Sequence, residues 1–191
     1  MREKKRLVKF EKEIAGLYEK ALIRAPIHLA GGNEVKLAKL FREYETGDWI
    51  FTTHRSHYHW LMSGRCPDKL KNQIVKGHSM HIYEEKFFTS AIVGGHAPIA
   101  LGVAMALKRK KSPNRVWCFM GDMAGETGIV HECIKYAKGH DLPIRFIIED
   151  DGYSVRALTK ETWGSSNAKV AKRYKYKRSY PHAGSGKYVM F

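Results

Sequence analysis

Apolar residues at Leu7, Phe10, Ile14, Leu17, Tyr18 and Leu22 recur close to every 3.6 positions, which predicts an amphipathic helix over residues 4–24. Beyond Gly31-Gly32, the inward set Val35, Leu37, Leu40 and Phe41 predicts a second helix over residues 33–44. Gly47-Asp48 then breaks the pattern, and the short apolar run 49–53 reads as a strand. The longest apolar stretch, residues 90–107, carries Gly94, Gly95, His96, Pro98 and Gly102. That punctuation predicts a buried turn and a helix to about residue 109, with Pro98 in the first turn, rather than a membrane span. Residues 115–120 form a buried-strand pattern ending at Gly121-Asp122. A helix is predicted over 126–138, with Val130, Cys133, Ile134 and Ala137 on one face and Gly139 at its end. Residues 142–148 are a second buried strand, ending at Glu149-Asp150-Asp151-Gly152. Strand, helix and strand of these lengths make a right-handed crossover in a parallel sheet. Asp122 and Asp151 are thereby expected at the carboxyl ends of parallel strands, the edge where open α/β sheets bind ligands.

Composition agrees with a packed domain: 191 residues, 43% hydrophobic, 28% charged, with no internal repeat, so a single domain over residues 1–191 is expected. The charge adds a basic surface, since 34 Lys plus Arg against 19 Asp plus Glu gives +15. After Thr162 there is no acidic residue, while Lys169, Lys172, Arg173, Lys175, Lys177, Arg178 and Lys187 supply cations. Tyr174 and Tyr176 alternate with them, predicting a half-exposed strand before a loop at Pro181-His182-Ala183-Gly184. Polyanion binding, including nucleic acid stacked on Tyr174, Tyr176 and Tyr180, is one reading of this tail, although no nucleic-acid module accompanies it. Cys66, Cys118 and Cys133 are too few and too far apart for a disulfide framework, which favours a reducing, cytoplasmic compartment. The first twenty residues are charged throughout, so no secretory signal is expected.

Two carboxylates at one strand edge need a reason. At about 4 Å and an effective dielectric near 20 they repel by roughly 4 kcal/mol, so one protonates or a cation intervenes. Magnesium, which takes one or two carboxylates and fills its octahedron with phosphate and water, is one solution. The alternative is plain: Asp122 caps the following helix, and Asp150 and Asp151 are turn residues. His54, His57 and His59 could take a transition metal by residue type, a weak pattern because His57 has another place in the motifs below.

Motifs now narrow the choice. Gly121-Asp122-Met123-Ala124, followed after helix and strand by Glu149-Asp150-Asp151-Gly152-Tyr153, resembles the thiamine diphosphate motif Gly-Asp-Gly, about thirty residues, Asn-Asn. More closely, it resembles the alpha subunit of thiamine diphosphate-dependent 2-oxo-acid dehydrogenases of the pyruvate dehydrogenase type, which read Gly-Asp-Gly-Ala and then Glu-Asn-Asn-x-Tyr. Further matches follow in order: Gly32-Asn33-Glu34-Val35, Gly47-Asp48-Trp49-Ile50 with Arg55-Ser56-His57, Gly77-His78-Ser79-Met80-His81, and Ile92-Val93-Gly94-Gly95-His96-Ala97-Pro98. The resemblance implies an α/β fold, a mostly parallel sheet with helices on both faces. It implies thiamine diphosphate and Mg2+ as cofactors, with Asp122, Asp151 and the Tyr153 carbonyl on the metal. Gly121, Met123 and Ala124 would run along the diphosphate, where free amides at a helix start favour anions. Arg55 would contact the diphosphate, and Ala91 and Val93 would hold the two rings of the cofactor. His57 and His182 take the catalytic positions, His182 through the likeness of its Tyr-Pro-His segment to the family's Tyr-Arg-x-His-Gly-His loop.

The same resemblance implies oxidative decarboxylation of a 2-oxo acid, acyl transfer to a lipoyl carrier, and an assembly with a pyrimidine-binding beta subunit, since no residue here matches the glutamate that activates the aminopyrimidine. Three positions depart from the pattern: Asp151 for Asn, Met123 for the third motif glycine, and His54 for the tyrosine before the arginine. The family's alpha subunit is also longer, so a shortened form is expected, and a non-catalytic scaffold that has kept the fold is the alternative.

Overall fold

A computed structural model describes residues 2–164 and 171–191, so Lys169 of the basic run lies outside the described residues. The chain divides into two compact units, Met1–Tyr44 with His54–Tyr83 and Lys177–Phe191, and Glu45–Thr53 with Glu84–Tyr176.

The first unit is helical. Helix α1, Arg2–Glu19, buries Leu7, Phe10, Glu11, Ile14 and Ala15. It ends earlier than its apolar period predicts. Ala21 adopts a left-handed φ of 56°, and the Leu22 amide donates back to the Leu17 carbonyl at 3.1 Å, a six-residue closure that leaves Leu22 in solvent. Helix α2, Glu34–Leu40, continues as one tight turn, Phe41–Glu43. Leu37, Leu40 and Phe41 are buried as expected, whereas Val35 is 63% exposed. Helices α3, His57–Met62, and α4, Pro67–Val75, complete this unit. Helix α3 buries five consecutive side chains, His57 to Leu61, and so shows no amphipathic period in the sequence.

The second unit carries the sheet: β1 Trp49–Thr53, β2 Tyr83–Glu84 at the border of the units, β3 Phe87–Ser90, β4 Val116–Gly121, β5 Ile144–Asp150 and β6 Lys172–Lys175. Its order is β2-β3-β1-β4-β5-β6, with β3, β1, β4, β5 and β6 successively parallel. Between strands lie α5 His96–Arg109, α6 Asp122–Gly125, α7 Gly128–Gly139 and α8 Thr159–Trp163. The α/β architecture and mostly parallel sheet are those expected, and Pro98 falls in the first turn of α5. The helix predicted over 126–138 is α7, which starts two residues later because Thr127 takes an extended conformation, and a short helix α6 that was not predicted precedes it.

The core packs Phe51, Val116, Cys118, Met120, Phe146 and Ile148 against Ala97, Ala100 and Ala104 of α5 and Val130, Cys133, Ile134 and Ala137 of α7. The small residues of α5 let its backbone approach the sheet. Trp117, Phe119 and Ile147, of opposite parity on the strands, are buried as well, as parallel strands require. Asp48 ties β1 to β4: it accepts from the Arg115 amide and from Trp117 Nε1, both at 2.8 Å. No helix among the described residues is long and apolar enough to cross a membrane.

Candidate functional site

In the second unit, three segments leave the carboxyl ends of parallel strands β3, β4 and β5, and they carry eight of the predicted residues. Ala91 and Val93 follow β3 in an exposed turn, shaped by the Ile92 amide donating to Ser90 Oγ at 3.1 Å. Gly94 closes that turn with φ +70°, and a Cβ there meets Thr127 Oγ1 and Ile129 at about 3 Å, so a larger residue is both strained and crowded. Gly121, Asp122, Met123 and Ala124 follow β4, and Asp151 and Tyr153 follow β5. Gly121 pairs with Glu149 in register, which sets the two acidic segments side by side.

Asp122 is the centre of this edge. It is 1% exposed. Thr159 on α8 donates its hydroxyl to Asp122 Oδ2, while Oδ1 is buried with no hydrogen-bonding partner. Burial lifts the Asp122 carboxyl above the ordinary carboxylate range; Thr159 pulls it back, and Asp150 and Asp151 push it further up. A buried carboxylate oxygen with an open lone pair, in the field of two more carboxylates, is the donor set of a hard divalent cation. The residues present therefore fit magnesium.

The neighbouring acids are already oriented. Asp151 Oδ1 accepts from the Tyr153 amide at 3.2 Å, and Asp150 Oδ1 accepts from the Gly152 amide at 3.1 Å, both across a turn in which Gly152 has φ +80°. Asp150 is also paired with Arg173 of β6 at 3.1 Å, and the same guanidinium reaches Glu126 at 2.6 Å. Residues 152–159 form a closed loop, with the Thr159 amide donating to the Gly152 carbonyl at 3.0 Å. That closure brings α8 back over the motif, where Trp163 Nε1 donates to Met123 Sδ at 3.0 Å. Sequence reasoning missed Thr159, Trp163, Glu126 and Arg173. Charge pattern alone could have flagged the last two, as a buried acid and a cation inside the basic run.

In the first unit lie Arg55, His57 and His182. Arg55 is buried, donates from Nη1 to the Leu29 carbonyl at 3.1 Å, and meets His182 Nδ1 with Nη2 at 3.1 Å. Arginine is only a donor, so His182 Nδ1 accepts and its proton sits on Nε2. His57 is fully buried: its Nε2 bonds Ser79 Oγ at 2.9 Å, and its Nδ1 lies 3.6 Å from Glu11, whose carboxylate also receives the Ala30 amide at 2.8 Å.

The grouping of His54, His57 and His59 that the spacing offered is not formed among the described residues. Helix α3 carries His57 to Glu11 and Ser79 and His59 beside the Phe41 ring. His54 instead stands 4.5 Å from the His28 ring and 5.7 Å from the His182 ring, centroid to centroid. Glycine makes this possible. Gly32 has φ +101°, and a Cβ there would fall 2.0 Å from the Lys177 carbonyl oxygen, so the carboxyl-terminal segment seats on bare backbone. The Ser179 amide then bonds the Gly31 carbonyl at 3.2 Å and the Gly184 amide bonds the Ile27 carbonyl at 2.9 Å, which places His182 beside His28.

Comparison with known proteins gives one family over most of the chain. The profile described as "Dehydrogenase E1 component" matches residues 2–175. The mitochondrial pyruvate dehydrogenase E1 component subunit alpha of Dictyostelium discoideum is 31% identical over 170 residues, covering 84% of this chain and 45% of that protein. The alpha subunit of acetoin:2,6-dichlorophenolindophenol oxidoreductase of Bacillus subtilis is 33% identical over 156 residues, 75% of this chain and 47% of that one. The pyruvate dehydrogenase E1 component subunit alpha of Rickettsia prowazekii is 32% identical over 161 residues, 78% of this chain and 49% of that one. The chain spans a little under half the length of these curated relatives.

Proposed function

The chain belongs to the dehydrogenase E1 component family, among its alpha-type chains, and from that premise we propose that it binds thiamine diphosphate with Mg2+ and serves a 2-oxo-acid dehydrogenase reaction together with a beta-type partner chain. The observation that carries the cofactor reading is Asp122, whose Oδ1 is buried without a partner. An uncompensated buried charge costs several kcal/mol, and a divalent cation offsets it. In this reading Asp122, Asp151 and the Tyr153 carbonyl hold the metal, and the backbone at Gly121, Met123 and Ala124 lies along the diphosphate. Ala91 and Val93, both exposed, meet the cofactor rings. When bound, thiamine diphosphate supplies the carbanion and electron sink for loss of carbon dioxide from a 2-oxo acid. The protein's own part is orientation and charge: Arg55 supplies a fixed cation for the diphosphate, and His182 presents a donor through Nε2. His57, sealed from solvent, acts as a positioning residue by bracing Ser79 and the 28–34 segment through Glu11.

The acceptor we propose is a lipoyl carrier. The relatives' names couple such chains to pyruvate, a 2-oxo acid, in two cases and to acetoin, a hydroxyketone, in a third; the substrate we propose is a 2-oxo acid, as in the first two. The three cysteines are free, which supports a reducing compartment, and we place the chain in the cytoplasm. Purifying the tagged chain from its host tests the reading: a co-purifying beta-type chain confers 2-oxo-acid-dependent turnover, and turnover by the chain alone contradicts it.

One observation favours a second reading, a non-catalytic relative. Met123 stands where the resembled motif has glycine, and it is engaged by Trp163. If that contact seals the motif, the chain keeps the fold and binds no cofactor, and the partner complex is inert.

A further inference from the structure

We propose that His28, His54 and His182 form a binding site for a borderline transition-metal ion, of the zinc, cobalt or nickel type, distinct from any magnesium site at Asp122. Each imidazole offers one ring nitrogen, and the three nitrogens all lie within 4.8 Å of one another. Ligand nitrogens around a tetrahedral zinc lie about 3.3 Å apart, so the rings must rotate toward one another to close on an ion. The rings come from three separate segments: residue 28, paired in a parallel bridge with Gly184; residue 54, directly after β1; and residue 182, on the segment seated by the Ser179–Gly31 and Gly184–Ile27 backbone bonds.

Two nitrogens call for a ligand. His28 is 7% exposed, and its Nδ1 is buried with no hydrogen-bonding partner; His54 Nε2 is in the same state. A buried polar atom left unpaired costs about 1–3 kcal/mol, which metal coordination recovers. Both rings are also held neutral. Burial, then the Arg55 charge, depresses His28 to about 4 and His54 to about 2, so near neutral pH no proton competes for their lone pairs. Three imidazoles with no carboxylate select borderline ions over magnesium or calcium, and leave the fourth tetrahedral position to water or an anion. Arg55 opposes the cation and occupies His182 Nδ1, so the ion must displace that hydrogen bond. No residue of the second unit takes part, but Arg55 and His182 are shared with the proposed cofactor reading, so the ion and thiamine diphosphate are expected to exclude one another at these residues.

The test is titration of the metal-free full chain with Co2+ near neutral pH, followed by visible absorption, because tetrahedral imidazole-bound Co2+ absorbs far more strongly than the hydrated ion. One Co2+ binds per chain with an intense band that Zn2+ removes and Mg2+ does not. The band is lost in His54→Tyr, a variant carrying the aromatic residue that the resembled family has at this position, and in His182→Gln. It persists in His140→Ala and Asp122→Asn. Arg55→Gln tightens binding about tenfold, from removal of one positive charge near a divalent ion in a water-like dielectric. No intense band at equimolar Co2+, a band that survives His54→Tyr, or weaker binding in Arg55→Gln overturns the proposal.

Discussion

Asp122 shows how one residue can be unfavourable for the fold and useful for a site. Its carboxylate is buried, half-satisfied by Thr159, and raised in pKa by its surroundings. Replacing it with the neutral isostere tests the two aspects separately. Asp122→Asn is expected to hold or raise the stability of the ligand-free chain, by up to about 1 kcal/mol, because a charge is no longer buried; a thermal melt reads this. Met123 is the opposite case. Met123→Gly removes the sulfur that Trp163 contacts and places glycine in α6, so it is expected to cost about 1 kcal/mol. It should nonetheless tighten thiamine diphosphate binding, because backbone again approaches the phosphate. A variant that loses stability without gaining affinity shows that the side chain at 123 is not what limits the site.

At the scale of elements, Asp48 and His96 hold the sheet together from different ends. Asp48→Ala strands the Trp117 indole N–H and the Arg115 amide inside β1 and β4, a loss expected at about 3 kcal/mol in a denaturant titration. His96, buried at the start of α5, bonds the Phe119 carbonyl at 2.8 Å through Nε2, and burial holds its pKa below the ordinary 6.5. Below pH 6.5 the unfolded chain therefore binds more protons at this residue than the folded one. Its contribution is present above that pH and is lost as pH falls through the window beneath it. His96→Gln, which has no titrating ring, is expected to flatten the fall in melting temperature between about pH 7 and about pH 5.

The elements also show what could be read in the sequence. Strand β1, strands β4 and β5, and the placement of Asp122 and Asp151 at their carboxyl ends were legible, because buried parallel strands bounded by Gly and Asp leave a strong local pattern. Helix α3 was not, since it is buried along five consecutive residues. The cluster of His28, His54 and His182 was not either. It depends on Gly32 letting the chain near Lys177 approach, a contact between positions 145 residues apart by the difference 177 − 32 that no local spacing reveals.

For the whole molecule, the +15 charge exceeds what one diphosphate can use. Lys172 and Lys175 are exposed along β6, cations suited to an acidic partner or carrier. Association with such a partner is expected to slow as ionic strength rises, since steering charges act on the encounter rate; a flow-cell measurement across salt concentrations checks it. Cofactor binding at the acidic edge of the sheet is measured most directly by calorimetric titration of the chain with thiamine diphosphate, with and without Mg2+, in the natural sequence and in Asp122→Asn. Binding is expected at one site per chain, to require Mg2+ and to weaken at least tenfold in the variant, about 1.4 kcal/mol or more. Binding that ignores Mg2+ or survives Asp122→Asn unchanged, or no binding at all, contradicts the cofactor reading.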